Sequence, residues 1–202
     1  MNYIDGFRNP DVAAQFVRLI SEQGRALAAQ GRRVHIMEVC GSHTMAIGRY
    51  GIRELLPENV ELISGPGCPV CVTDPGYIDT AIALAGRGAI LATFGDMIRV
   101  PGSDSDLTAC RTEGGDVRVC YSPSAAVEIA QSHPDRDVVF LAIGFETTIV
   151  PVVSIVDEAL RAGVHNVSLL TAFKLVPPAL HALLADKEIQ IDAFLCPTHV
   201  SA

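Results

Sequence analysis

Two short segments carry the side chains best suited to chemistry. In Gly65-Pro66-Gly67-Cys68-Pro69-Val70-Cys71, two thiols stand three residues apart. That spacing can close a disulfide or offer two sulfurs to one metal ion. Glycines and prolines fix the backbone directly after a strand-like run, which favours a functional pair over a turn that merely contains two thiols. The loop is not a phosphate cradle, because neither GxGxxG nor GxxxxGK[ST] is completed. The second segment is Glu38-Val39-Cys40-Gly41-Ser42-His43-Thr44. Cys40 leaves a strand as a helix begins, so the helix dipole and His43 would both favour its thiolate, the form that attacks electrophiles and binds metals. The alternative is a small buried cysteine, with His43 as a helix cap or core hydrogen bonder. The segment alone leaves both open.

Two further segments are weaker. Gly144-Phe145-Glu146-Thr147-Thr148 sets a carboxylate beside two hydroxyls and could bind a ligand or move a proton. On local evidence plain capping is the favoured reading, with Thr147 or Thr148 as N-cap and Glu146 on the dipole. In Pro197-Thr198-His199 a lone histidine follows a strand, a position that is more often structural than ligating. Cys110 falls in a polar loop, and Cys120 and Cys196 close strands without a nearby partner.

These segments need elements to hold them. Short β-branched runs at 34–39, 60–64, 89–93, 117–120, 138–143, 167–170 and 192–195 predict seven strands. Helical stretches are expected at 43–56, 77–85, 124–131, 148–161 and 178–185. An opening helix has Asn9 as N-cap, Pro10 at its first position, and an apolar face of Val12, Phe16, Leu19, Ile20 and Leu27. Strands alternating with helices predict an α/β fold with parallel sheets and right-handed crossovers. The strand-end segments then share the edge where such sheets bind ligands. The polar loop 101–116 is the expected boundary between two Rossmann-like lobes, 1–116 and 117–202. The second lobe is expected to be incomplete, since a strand without a closing helix ends it.

Composition narrows the class. Fifteen Lys and Arg against 23 Asp and Glu give a net charge of −8, which argues against a nucleic-acid partner. The run VVFLAIGF is too short to span a bilayer. MNYIDGFRNP has no signal-peptide pattern. A soluble, cytoplasmic protein with no membrane association is expected, where six cysteines do not read as a disulfide framework.

Taken in order, MEVCGSHTMAI, SGPGCPVCV, ATFGDMIRVPGS, IGFETT and PTHVS resemble the successive signatures of the HypD family, maturation factors of nickel–iron hydrogenases. The resemblance implies two Rossmann-like lobes facing a cleft. It also implies a scaffold, formed with a small HypC-type chaperone, on which an iron carrying two cyanides and one carbon monoxide is assembled. A cyanide-donating HypE-type factor is the further implied partner. By position, Cys40 matches the family's iron-binding thiolate, with His43 beside it. Cys68 and Cys71 match its redox pair, while Glu146, Thr147, Thr148 and His199 match cleft-lining positions. A soft thiolate suits iron with π-acceptor ligands. The chain departs from the family at Met45, where many members carry a second histidine. The family's [4Fe–4S] cluster is held by four cysteines of a C-terminal domain, and Cys110, Cys120 and Cys196 match none of them. The competing functional readings are a stand-alone thiol–disulfide oxidoreductase using Cys68 and Cys71, and a silent α/β binding module.

Overall fold

Helix α1 (Pro10–Ala28) starts where its capping residues dictate. The Asn9 side chain accepts from the amides of Asp11 and Val12, and Pro10 takes the first turn. The computed structural model describes residues 9–196. After α1 the order is β1 (Val34–Glu38), α2 (Gly41–Arg49), α3 (Ile52–Leu55), β2 (Val60–Ser64), α4 (Pro75–Gly86), β3 (Ile90–Thr93), α5 (Leu107–Thr112) and β4 (Val117–Val119). Then follow α6 (Ala125–Ser132), β5 (Val138–Gly144), α7 (Glu146–Arg161), β6 (Val167–Phe173), α8 (Val176–Ala185) and β7 (Ala193–Leu195). All seven expected strands are present. Short 3-10 turns at Val70–Val72 and Gly95–Arg99 follow β2 and β3.

The strands form two parallel sheets, ordered β2-β1-β7 and β4-β3-β5-β6. Consistent with this, one compact unit runs to Gly67 and resumes at Leu180, and the other comprises Cys68–Ala179. The division differs from the boundary expected at 101–116. That segment is pinned to α4 by Asp79, whose carboxylate accepts from the amide and hydroxyl of Ser103. It also holds a helix that the reading of the loop as merely polar overlooks. Asp106 caps α5 by accepting from Ala109 N–H, and Leu107 and Cys110 enter the core.

The larger sheet is packed on both faces, as parallel sheets require. On one face Ile90, Ala92, Val138, Phe140 and Ala142 meet Val152 and Ile155 of α7 and Val127 of α6. The alternate residues Leu91, Val139, Leu141 and Ile143 meet Ile78 of α4 and Leu107 of α5. That period of two is the side-chain alternation of a strand. Phe94 stands edge-on to Phe140 at 5.4 Å between ring centres.

The smaller sheet is set in register by Val34↔Val60 through Glu38↔Ser64, and by Ile36↔Ala193 through Glu38↔Leu195. Its buried residues include Met37, Glu38 and Val39 at the C-terminal end of β1, and Ile47 of α2. The single helix expected over 43–56 is broken into α2 and α3. Gly51, at φ 59°, takes the left-handed conformation between them, which glycine adopts without a Cβ penalty. The apolar stripe of α1 is open to solvent, with Phe16 60% exposed. No helix among the described residues is long and apolar enough to cross a membrane.

Candidate functional site

The strand-end chemistry is built as two separate constellations, one in each unit. In the first, β1 delivers Cys40 to the N-cap of α2. Its backbone is at φ 92° and ψ 127°, the only positive φ outside glycine among the described residues. A side-chain-bearing residue pays roughly 1–3 kcal/mol for such a conformation, and it persists only where the surroundings impose it. Here Cys40 N–H donates to the Pro66 carbonyl at 2.9 Å, and Gly65 N–H to the Glu38 carbonyl at 2.9 Å. The loop after β2 therefore clamps the loop after β1. Cys40 Sγ lies half-buried, 3.1 Å from Ser42 Oγ. Cys40 is the N-cap of α2, but its side chain makes no hydrogen bond to the opening amides of that helix.

His43 points its ring back to the strand, with Nδ1 2.9 Å from the Val39 carbonyl. A carbonyl can only accept, so Nδ1 carries a proton, and in the neutral ring the lone pair is then on Nε2. That is the tautomer a metal-binding imidazole needs, fixed by the hydrogen bond of the other nitrogen. The same bond is also the core hydrogen bond that a purely structural His43 would make.

Two residues before Cys40, at the end of β1, stands a group to which sequence reasoning assigned no role. Glu38 is 1% exposed. Its Oε1 accepts from Arg53 Nη2 of α3 at 2.7 Å and from Ser64 Oγ at the end of β2 at 2.7 Å. Its Oε2 is buried without a partner among the described residues. Arg53 Nη1 also donates to the Leu62 carbonyl. The available signal was a carboxylate inside the apolar run VHIMEV, since glutamate is almost never fully buried unless paired.

The second constellation joins two of the predicted segments. A pocket of about 200 Å³ is lined by Cys68, Asp96, Gly144, Phe145, Thr147 and Thr148, among others. Cys68 is half-buried and Cys71 exposed, and Cys71 N–H donates to the Cys68 carbonyl at 3.1 Å. The neighbouring Cys68 charge pushes the Cys71 thiol above its ordinary value. Burial, a hydrogen bond with Cys68 and the charge of Asp96 add in the same direction. The Cys71 proton therefore leaves with more difficulty than that of an isolated thiol.

Glu146 does something the sequence did not indicate. It opens α7, but its Oε1 accepts from Val176 N–H at 2.7 Å and so satisfies a free amide at the start of α8. Neither threonine caps α7: the cap residue is Phe145, and Thr148 Oγ1 donates to its carbonyl at 2.8 Å. A Cβ on Gly144 would run into Thr148, so the turn into α7 requires glycine there. His199 lies outside the described residues.

Cys110 and Cys120 sit in the core, 6% and 4% exposed, and burial raises both thiols. No group of three or more His, Cys, Asp or Glu among the described residues is placed to hold a metal ion. The cysteines described therefore do not fit a [4Fe–4S] cluster, which needs four thiolates around one centre. Cys40 and His43 offer at most two donors, enough only for an iron that arrives with other ligands.

Comparison with known proteins gives a consistent result. The HypD family model, described as "Hydrogenase formation hypA family", matches residues 13–202. The hydrogenase maturation factor HypD of Azotobacter vinelandii is 49% identical over 208 residues, covering all of this chain and 54% of that protein. Its counterpart in Cupriavidus necator is 47% identical, and that of Escherichia coli K12 is 42% identical, each again over the whole chain and 54% of the relative. The chain spans about half the length of the curated relatives it matches.

Proposed function

The chain belongs to the HypD family, whose named members are hydrogenase maturation factors, and we propose that it contributes the thiol-bearing part of an assembly scaffold for the iron group of nickel–iron hydrogenase. The cargo is an iron with two cyanides and one carbon monoxide. Cys40 supplies an anionic sulfur donor to it and His43 an imidazole nitrogen. A small HypC-type chaperone completes the site, and a HypE-type factor delivers cyanide. This reading belongs to the cytoplasm, where thiols are kept reduced. The full-length family's [4Fe–4S] cluster has no step here.

The observation that carries the reading is the backbone of Cys40. A strained non-glycine residue at a strand end, clamped by Pro66 and set at a helix N-terminus, is poorly explained by packing alone. Strain of this kind is retained where it holds a side chain in a working position. The cyanides, the carbon monoxide and the chaperone supply the remaining ligands, so two protein donors suffice from this chain.

Cys68 and Cys71 serve as a two-electron pair. When one thiolate attacks a disulfide on a partner protein, the partner's S–S bond breaks and a mixed disulfide forms. The second thiol then gives up its proton and displaces the partner's remaining sulfur. The pair is oxidised to a disulfide and the partner is reduced to two thiols. The pocket formed with Asp96, Thr147 and Thr148 borders the attacking sulfur. An alternative, favoured by the exposure of Cys71, is that this exchange is the whole activity and no iron is carried.

The test is to purify the chain anaerobically from cells that also produce the HypC-type and HypE-type partners. Iron content and cyanide and carbon monoxide infrared bands are then measured on the complex. Both are expected together. A complex that forms without iron but cycles Cys68 and Cys71 reversibly would establish the alternative.

A further inference from the structure

Glu38 is an expensive residue for its position. Removing a carboxylate from water costs several kcal/mol, and one ion pair repays this only with good geometry and satisfied lone pairs. Here one oxygen receives both donors, from Arg53 and Ser64, and the other receives none among the described residues. The Arg53 side chain is itself 45% exposed. An apolar residue of similar size would fill the site without the desolvation cost. Stability therefore does not explain the carboxylate, and its placement suggests what does.

Its two donors come from the elements that hold the Cys40 turn. Ser64 is the last residue of β2 and leads into Gly65 and Pro66. The Gly65 amide donates to the Glu38 carbonyl, and the Pro66 carbonyl accepts from the Cys40 amide. Arg53 ties α3 to the same point and also to Leu62 of β2. The carboxylate thus holds the end of β2 through a side-chain bond, and the backbone bonds hold the loop that follows it. With both in place, Cys40 is held at φ 92°.

We infer that Glu38 is a positioning residue: through Ser64 and Arg53 it locks the β2 end against β1 and so imposes the strained backbone that presents the Cys40 sulfur at the start of α2. The inference deepens the reading of Cys40 as the iron thiolate and rests on it for its biological meaning. The structural claim concerns the thiol alone and can be tested without iron.

The experiment compares wild type with Glu38→Leu, Glu38→Gln and Ser64→Ala. Each protein is held at one pH with limiting iodoacetamide. The alkylation rate of Cys40 is read by peptide mass spectrometry relative to that of Cys71, which lies in the other unit and serves as internal reference. In Glu38→Leu the Cys40 rate should fall about tenfold against Cys71, the scale set by release of one strained residue, with circular dichroism unchanged. Glu38→Gln keeps an acceptor for Arg53 and Ser64 and should restore most of the rate. Ser64→Ala removes one grip at an exposed position and should give an intermediate rate. It answers the question if Glu38→Leu does not fold. A folded Glu38→Leu protein, or a Ser64→Ala protein, with the wild-type Cys40 to Cys71 ratio would overturn the inference. So would a Gln variant as impaired as Leu. In the partner complex, infrared bands weakened in Glu38→Leu and restored in Glu38→Gln are expected. Wild-type complex without any bands would refute the iron reading while leaving the alkylation result to decide the role of Glu38.

Discussion

The Cys40 amide donates to the Pro66 carbonyl at 2.9 Å, so the loop preceding the CxxC pair clamps the strained turn that carries the other candidate thiol. At φ 92° this turn suits glycine better than any side-chain-bearing residue. Cys40→Gly should therefore be more stable than Cys40→Ala, by about 1 to 2 kcal/mol. Elsewhere in a protein the order is usually the reverse. Urea unfolding of the two variants measures it, and equal midpoints would mean that the turn is not strained.

Glu146 acts as a remote helix cap. Replacing it with Ala removes the acceptor for the Val176 amide and should cost about 1 to 2 kcal/mol, while Glu146→Gln should cost much less. Hydrogen exchange should show faster exchange at the start of α8 in the Ala variant. No change there would mean that the carboxylate is free for another task.

Thiol chemistry should divide the six cysteines by environment. Cys40, Cys68, Cys71 and Cys196 are at least partly accessible, whereas Cys110 and Cys120 are buried. Under native conditions alkylation should spare Cys110 and Cys120 until the chain unfolds. Burial raises both thiols, so the folded state keeps protons that the unfolded state releases. The stability they contribute is thus constant below the ordinary thiol value and declines as pH rises past it. Denaturation midpoints at neutral and strongly alkaline pH test the sign.

The CxxC pair should lose its two protons in separate steps. The charge of Cys68 holds the Cys71 thiol above its usual range, so at mildly alkaline pH one sulfur should alkylate and the other lag. Substituting Asp96 with Asn removes a smaller effect of the same sign and should bring the slower step down slightly. A single step with equal rates would contradict the coupling.

The strands were legible in the sequence because parallel strands are short β-branched runs with few other interpretations. The Asn9 cap, the Cys40 loop and the Cys68–Cys71 turn were equally local. Failures arose where partners are distant. Glu38 meets Arg53 and Ser64, 15 and 26 residues away, and Glu146 meets Val176, 30 residues away. No local pattern encodes those meetings, so the buried carboxylate went unassigned and Glu146 read as a dipole partner of its own helix. The break at Gly51 and the helix capped by Asp106 were local signals, hidden in stretches read as one helix and one polar loop. The sheet division was not legible, because nothing in strands β3 and β7 themselves says which sheet each will join.

The central claim is that Cys40 holds the iron group, and infrared spectroscopy of the anaerobic partner complex tests it most directly. Wild type should show cyanide and carbon monoxide stretching bands. Cys40→Ala should lose them while retaining wild-type circular dichroism and partner binding. A Cys40→Ala complex that keeps both sets of bands would contradict the account.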